Sequence, residues 1–417
     1  MLRTHYLTDA QQKCRSVRPQ LEMAHRKLLV LLASGAFLGC DGSGAPVEDV
    51  VSRDSAGVTI VVNADVAELP VREVPESPTF RVGWAPEDPP LESISSGLLL
   101  PDGSAAFLDG QGALLYLVDS TGTVERFGRR GEGPGEFARP ASVFPLSDAT
   151  LAVWDGGLNR LSRFTEDGEF LKSDLISEGG LLSVEPRGVV GGHSLGLVPT
   201  SISFLAGQTE SRWYGGPLVL RDLETLEPDS IGQVNLVLVE MEDGRPIANP
   251  FSYFGSGGVF DGGFVWGTND RPEIRWIGPD GSPDVVAHWT QQRLELDDQV
   301  WGQYADIARS QNASAFQPTP DDAFEETLRR QRSAAPAQLP YFRQIHPTRD
   351  GVVWVSEYGL SPQYASRFLV ISPEGRTSHW VTFPRPIRLL DVSSERVLGI
   401  EMDDYEVQSV VMYPIAQ

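Results

Sequence analysis

Short apolar runs parted by turn residues recur along most of this chain, and that recurrence narrows the possible folds more than any other feature. Residues 98–100, 105–108, 114–119 and 124–127 are four strand-like runs, with Pro101-Asp102-Gly103 and Ser120-Thr121-Gly122 among the punctuation between them. Runs bounded in this way read as strands joined by tight turns. The same order returns at 142–146, 151–154, 161–164 and 170–172, with Asp167-Gly168 before the last run. Gly122 and Gly168 occupy equivalent turns 46 positions apart, within the period of four-stranded repeats set around an axis.

Less regular repeats follow at 189–197 with 217–222, at 258–266, 273–277 and 285–289, at 352–355, 367–371 and 379–383, and from 388 to 414. Residues 91–417 number 327; setting aside about 50 for an insertion leaves about 46 for each of six repeats. The expected fold is all-β, a six-bladed β-propeller of four-stranded antiparallel blades over 54–417. Such a ring must be tied shut. The β-branched run 58–62, ending at Asn63, is expected to do this by joining the last blade.

The strand rhythm breaks at 292–341, where 297–309 and 320–332 read as helices. In the second, Thr319 can cap and Pro320 suits the first helical position. Asp321 and Asp322 favour its positive end, and Arg329, Arg330 and Arg332 its negative end. This short helical insertion is a lid, a docking surface for a partner, or packing decoration.

Between the first two repeats lies GRRGEGPGEFARP, residues 128–140. Gly128, Gly131, Gly133 and Gly135 with two prolines oppose both helix and ladder, and Phe137 supplies one large apolar anchor. GEGPGEF followed by proline, an apolar strand, LAVWD and NRLSRF resembles the NHL-type six-bladed β-propellers, particularly those found as bacterial lipoproteins. The resemblance covers roughly residues 53–417. It implies that the loop joins the outer strand of one blade to the inner strand of the next, and it implies fold without activity, because propellers host unrelated functions.

Cys14 and Cys40 are the two cysteines and both precede the repeats, so no disulfide or thiolate metal site is expected in the body. His25, Arg26 and Lys27 lead into an apolar run, 28–38, that closes on Phe37, Leu38, Gly39 and Cys40. That resembles a bacterial lipoprotein signal. The resemblance implies loss of residues 1–39, with Met23 as an alternative start, lipidation of Cys40 and a flexible tether over 40–53. The run is too short to span a bilayer, so the expected location is the cell envelope, lipid-anchored and facing the periplasm or the exterior. A net charge of −23 argues against nucleic acid and anionic membrane surfaces, which select basic patches.

Motifs that carry chemistry are sparse. Residues 192–196, GHSLG, match GxSxG, but that elbow needs a helix after it, and Leu197-Val198-Pro199-Thr200 follows instead. GRRGEGPG lacks the terminal Lys-Ser/Thr of a phosphate loop, and Ala138-Arg139-Pro140 cannot open the required helix. Arg129 and Arg130 are candidates to bind an anionic ligand from the face this loop occupies. Asp155, Asn159 and Arg160 are expected beside them, on the turn between the second and third strands of the next blade. The competing reading is that these groups pair with Glu132 or Glu136 and hold the loop itself. His288-Trp289 and His379-Trp380 recur at matching outer-strand positions, which favours packing, whereas His193 and His346 stand alone.

Neither a paired-cysteine, HxxxH or HExxH spacing nor a twelve-residue calcium loop occurs. No catalytic, cofactor or metal residue is therefore assigned. Ca2+ in the central channel would need acidic and amide groups converging from several blades. The expected function is recognition: a monomer, touching the membrane only through its lipid, that binds an unknown protein or small molecule and no nucleic acid. The rivals are a propeller enzyme of the metal-dependent lactonase or lyase type, and a structural subunit of an envelope complex.

Overall fold

A computed structural model describes residues 50–415, apart from 87, 147–149, 177–183, 201–209, 243–244, 248, 315–316, 361–362 and 404–406. The signal segment and Cys40 lie outside the described residues. Residues 297–320 fall in one compact unit, and residues 49–296 with 321–417 form another.

The larger unit is built of strands. Its N-terminal segment supplies β1 (Val50–Ser55), β2 (Val58–Asp65), β3 (Val71–Glu73) and β4 (Phe80–Val82). The strands β5 (Ile94–Leu99), β6 (Ala105–Asp109), β7 (Leu114–Val118) and β8 (Val124–Phe127) form a four-stranded antiparallel sheet. The next contains β9 (Pro140–Pro145), β10 (Thr150–Asp155), β11 (Arg160–Thr165) and β12 (Phe170–Leu175). A five-stranded sheet follows with β13 (Val184–Val190), β14 (Ser194–Pro199), β15 (Arg212–Asp222), β16 (Pro228–Glu242) and β17 (Arg245–Ile247). Next come β18 (Gly255–Phe260), β19 (Gly263–Thr268), β20 (Glu273–Ile277) and β21 (Pro283–Thr290), extended at the outer edge by β2 and then β1. Last are β22 (Phe342–Pro347), β23 (Val353–Glu357), β24 (Ala365–Ile371), β25 (Thr377–Val392), β26 (Arg396–Met402) and β27 (Gln408–Pro414). They make one continuous sheet because the leading part of β25 pairs with β24 and its trailing part with β26.

The strands β5, β9, β13, β18, β22 and the trailing part of β25 neighbour one another in turn, and the last returns to β5. Sheets whose inner edges close on themselves in this way form a β-propeller. Neighbouring inner strands advance in the same direction. Ser95 Oγ donates to Pro140 O and Ser96 Oγ accepts from Val143 N, while Arg388 reaches Ile94 O and Asp391 accepts from Leu99 N. The cores lie between sheets: Phe107 and Tyr116 of the first sheet, stacked at 4.8 Å, pack against Leu398 and Met412 of the last.

Ring closure differs from the sequence expectation. Residues 58–62 do not join the last sheet; β2 runs parallel to β21. Asn63 fastens the strand on both sides: its Nδ2 donates to His288 O of β21 and to Gly375 O in the turn before β25, both at 2.9 Å, and its Oδ1 accepts from Thr377 N at 3.0 Å. Closure falls to β4, antiparallel to β27 through Phe80↔Met412 and Val82↔Val410, with β3 parallel to β25 on the way. Phe80 and Val82 are 5% and 1% exposed, and Arg81 between them pairs with Glu401 at 2.7 Å. Three residues are too few for local patterning to announce a strand.

The interruption contains α1 (Asp298–Ser314) and α2 (Asp321–Ala334). Asp297 Oδ1 accepts from Val300 N at 2.8 Å, which caps α1. Helix α2 buries Leu328, and Arg332 donates to Leu296 O at 3.1 Å. Among the described residues no helix is long and apolar enough to cross a membrane.

If β4 is the closing strand, Phe80→Ala should lower the unfolding free energy by about 3–5 kcal/mol, read as a lower urea midpoint. Val62→Ala on β2, where the side chain is 43% exposed, should change it by less than about 0.5 kcal/mol.

Candidate functional site

Loop 128–140 joins β8 to β9 and folds upon itself. Gly128 and Gly135 sit at φ +84° and +72°, where a side chain is strained. A Cβ on Gly128 would also come within 2.5 Å of the Phe137 ring. Phe137 is fully buried and packs against Phe164 with centroids 5.7 Å apart.

Polar groups finish the loop. Arg160 donates to Glu132 O at 2.9 Å, to Gly133 O at 3.2 Å, and to Glu136 O. Asp155, fully buried, accepts from the amides of Ala138 (2.7 Å), Arg139 (3.0 Å), Gly157 (2.8 Å) and Leu158 (3.1 Å). Asp109 repeats the device one sheet earlier, accepting from Glu92 N, Ser93 N and Gly112 N.

Of the residues expected at this face, Asp155 and Arg160 therefore serve the loop backbone. Glu132 offers its carbonyl, not its carboxylate, to Arg160. Arg129 pairs with Glu136, Nε to Oε1 at 2.7 Å, and the Gly133 amide, then Arg129, hold the Glu136 carboxyl below its usual range. Arg130 donates to Ala138 O and Gln111 O. Asn159 sits at φ +48°, and its carbonyl accepts from Ile176 N at 2.9 Å instead of meeting the loop.

A different concavity lies among the inner strands. It has a volume of about 850 Å³, and every inner strand contributes to its wall. At the leading ends the wall presents Ser95, Ser96, Ser142, Ser256, Gln344 and Arg388; towards the trailing ends lie Asp261, Arg349 and Asp391. Backbone and small side chains dominate because the strands crowd here. A Cβ on Gly97 would meet Leu390 Cδ1 at 2.8 Å, and one on Gly258 would meet Pro347 Cγ at 3.0 Å.

Three titratable groups of the wall, His346, Asp391 and Arg388, are perturbed. Burial, and then the Arg388 charge, push the His346 imidazole down to about 4, so it is neutral at physiological pH. Burial pushes Asp391 up to about 6 although the amides of Leu99 and Val392, at 2.7 and 2.8 Å, oppose the shift. Burial also lowers the Arg388 guanidinium from its ordinary value. Among the described residues no group of three or more His, Cys, Asp or Glu side chains gathers to hold a metal.

The remaining sequence motifs resolve structurally. Residues 189–197 are two strands parted by a turn at Gly191 and Gly192, with φ +61° and +75°. Ser194 begins β14 and is 9% exposed, so it occupies a ladder position and not a strand-to-helix elbow. Trp289 and Trp380, each preceded by a histidine, share one apolar core. The serines and Arg388 of the channel escaped sequence reading. Their one signal was the density of glycine and serine at 95–97 and 255–258.

No family model matches the chain, and no curated protein matches it in sequence. Solved structures align with it at low identity. A Bacteroides fragilis protein described as exported has a TM-score of 0.47 at 12% identity, covering 86% of this chain and 100% of its own. A member of the DUF4221 family from Bacteroides vulgatus has a TM-score of 0.43 at 12% identity, covering 78% and 92%. Regucalcin, a calcium-binding protein from Agrobacterium tumefaciens, has a TM-score of 0.40 at 10% identity, covering 84% and 97%.

Removing the Asp155 carboxylate leaves the amides of Ala138, Arg139 and Gly157 without an acceptor, so Asp155→Ala should cost about 3 kcal/mol or more of stability, measured by urea unfolding. His346 has a folded pKa below its unfolded value. The unfolded chain therefore binds the extra proton, and the stability this group contributes is present above about pH 6.5 and lost as pH falls towards 4. NMR titration should find the His346 ring changing charge near pH 4, and His346→Gln should flatten that part of the stability profile.

Proposed function

We propose that this chain is a six-bladed β-propeller lipoprotein of the NHL type, anchored in the cell envelope through Cys40, that binds another molecule in its axial channel without transforming it. In this reading the continuous sheet from β22 to β27 counts as two blades sharing β25, and the N-terminal strands add to the outer edges. The propeller faces the periplasm or the exterior as a monomer, with residues 1–39 removed and the segment from Cys40 up to β1 as its tether, since residues 50–53, expected in the tether, are part of β1. The exposed guanidinium groups of Arg129 and Arg130 would be a secondary contact surface for the bound partner.

The observation that carries the reading is the channel itself. A cavity of about 850 Å³ is the size of a small-molecule site, and its wall offers hydroxyls, backbone groups and one arginine at the leading end. Recognition asks for such a wall on a rigid scaffold.

The test is a thermal-shift screen of the detergent-solubilised full-length protein against charged and neutral metabolites. A ligand at 100 times its Kd should add about 2.7 kcal/mol of stability. The stabilisation should vanish in Ser95→Trp, which fills the channel. Stabilisation that survives this substitution places the ligand elsewhere and refutes the channel as the site.

A further inference from the structure

Resting on that reading, we infer that the channel takes a small anionic ligand, carrying a carboxylate or phosphate group, and that the Arg388 guanidinium at its leading end is the residue that holds it.

Arg388 differs from the other arginines of the wall. Arg187 pairs with Glu185 at 3.5 Å, and Arg349 lies where its charge is felt by Asp391. Arg388 has neutral partners: it donates to Ile94 O at 2.6 Å, and the Tyr364 hydroxyl lies beside it. Among the described residues no carboxylate pairs with it, and its Nε is buried without a hydrogen-bond partner. A half-buried cation with no counter-charge is an unfavourable arrangement unless something else neutralises it.

The surroundings select for an anion. At the level of Arg388 the neighbouring strands present Ser96 and Gln344, both neutral and both able to donate a hydrogen bond, beside Ser95, whose hydroxyl donates to Pro140 O. Both wall carboxylates, Asp261 and Asp391, sit at the trailing ends of their strands, and the Asp391 oxygens already accept from two amides. His346, beside Arg388, is neutral and adds no second positive charge to the guanidinium. One guanidinium with neutral donors around it is the arrangement that binds carboxylate or phosphate oxygens, and a low-dielectric wall strengthens the attraction.

Calorimetric titration of the full-length protein with succinate and with inorganic phosphate, at ionic strength held constant with chloride, tests this and distinguishes the two sources of negative charge. Saturable binding of at least one is expected. It should weaken by at least about tenfold in Arg388→Gln and stay within about threefold in Arg388→Lys. Gln344→Glu, which places a negative charge at the same level and leaves Arg388 in place, should abolish it, and this variant decides the matter if Arg388→Gln fails to fold. Absence of saturable binding by both anions, or undiminished affinity in Arg388→Gln or Gln344→Glu, overturns the inference. If neutral compounds stabilise the protein and Ser95→Trp removes their effect while anions do nothing, the anion inference falls and the channel reading stands. If neither class responds, both fall.

Discussion

Sheets set around an axis crowd at their inner edges, and in this chain glycine and serine relieve the crowding. Gly97 leaves room for Leu390, Gly188 for Val259 and Gly258 for Pro347, each at a distance where a Cβ would press on the neighbour. Larger residues at these points would push adjacent sheets apart and open the cores between them. The serines add polar links: Ser96 Oγ accepts from Val143 N at 3.1 Å and Ser256 Oγ from Ile345 N at 3.0 Å. An innermost strand has one unpaired edge, whose amides need an acceptor. Small hydroxyl side chains satisfy part of that need from the adjoining strand. The polar wall of the channel is thus a consequence of packing before it is an adaptation to any ligand.

The outer parts of the ring are held differently. Asp109 and Asp155 end the second strands of consecutive sheets, and each gathers amides from its own turn and from the connector that arrives before the inner strand. One buried carboxylate thereby orients two segments that are distant in sequence. Arg160 does the reverse, collecting carbonyls of the connector. The connector is therefore set by charge-assisted bonds to backbone groups, which are stronger than neutral ones. This explains why a glycine-rich segment can have one conformation.

The repeat was legible because it is local. Apolar runs and glycine turns announce strands one at a time, and Gly122, Gly168, Gly281 and Gly375 all occupy the positive-φ position of such turns. Closure was not legible, because β4 is three residues long and its partner β27 lies over 300 positions away. The strongly apolar run 58–62 drew the assignment instead, although its backbone pairs with β21. At the loop, the charged residues were visible but their partners were not. Sequence suggests that arginine seeks carboxylate, whereas Arg160 found carbonyls. The channel wall was hidden most completely, since it combines single residues from strands dispersed between positions 95 and 392.

Net charge and local charge act on the channel at different ranges. The chain as a whole carries −23, so an approaching anion meets repulsion well before it meets Arg388. That repulsion spans solvent and decays over about 8 Å at physiological salt. The attraction operates in contact, among desolvated groups where salt screens little. Raising the ionic strength therefore removes more of the barrier than of the bond. A wall built in this way disfavours diffuse polyanions, which feel the repulsive field over their whole length, and retains small ligands whose charge can be placed wholly against the guanidinium.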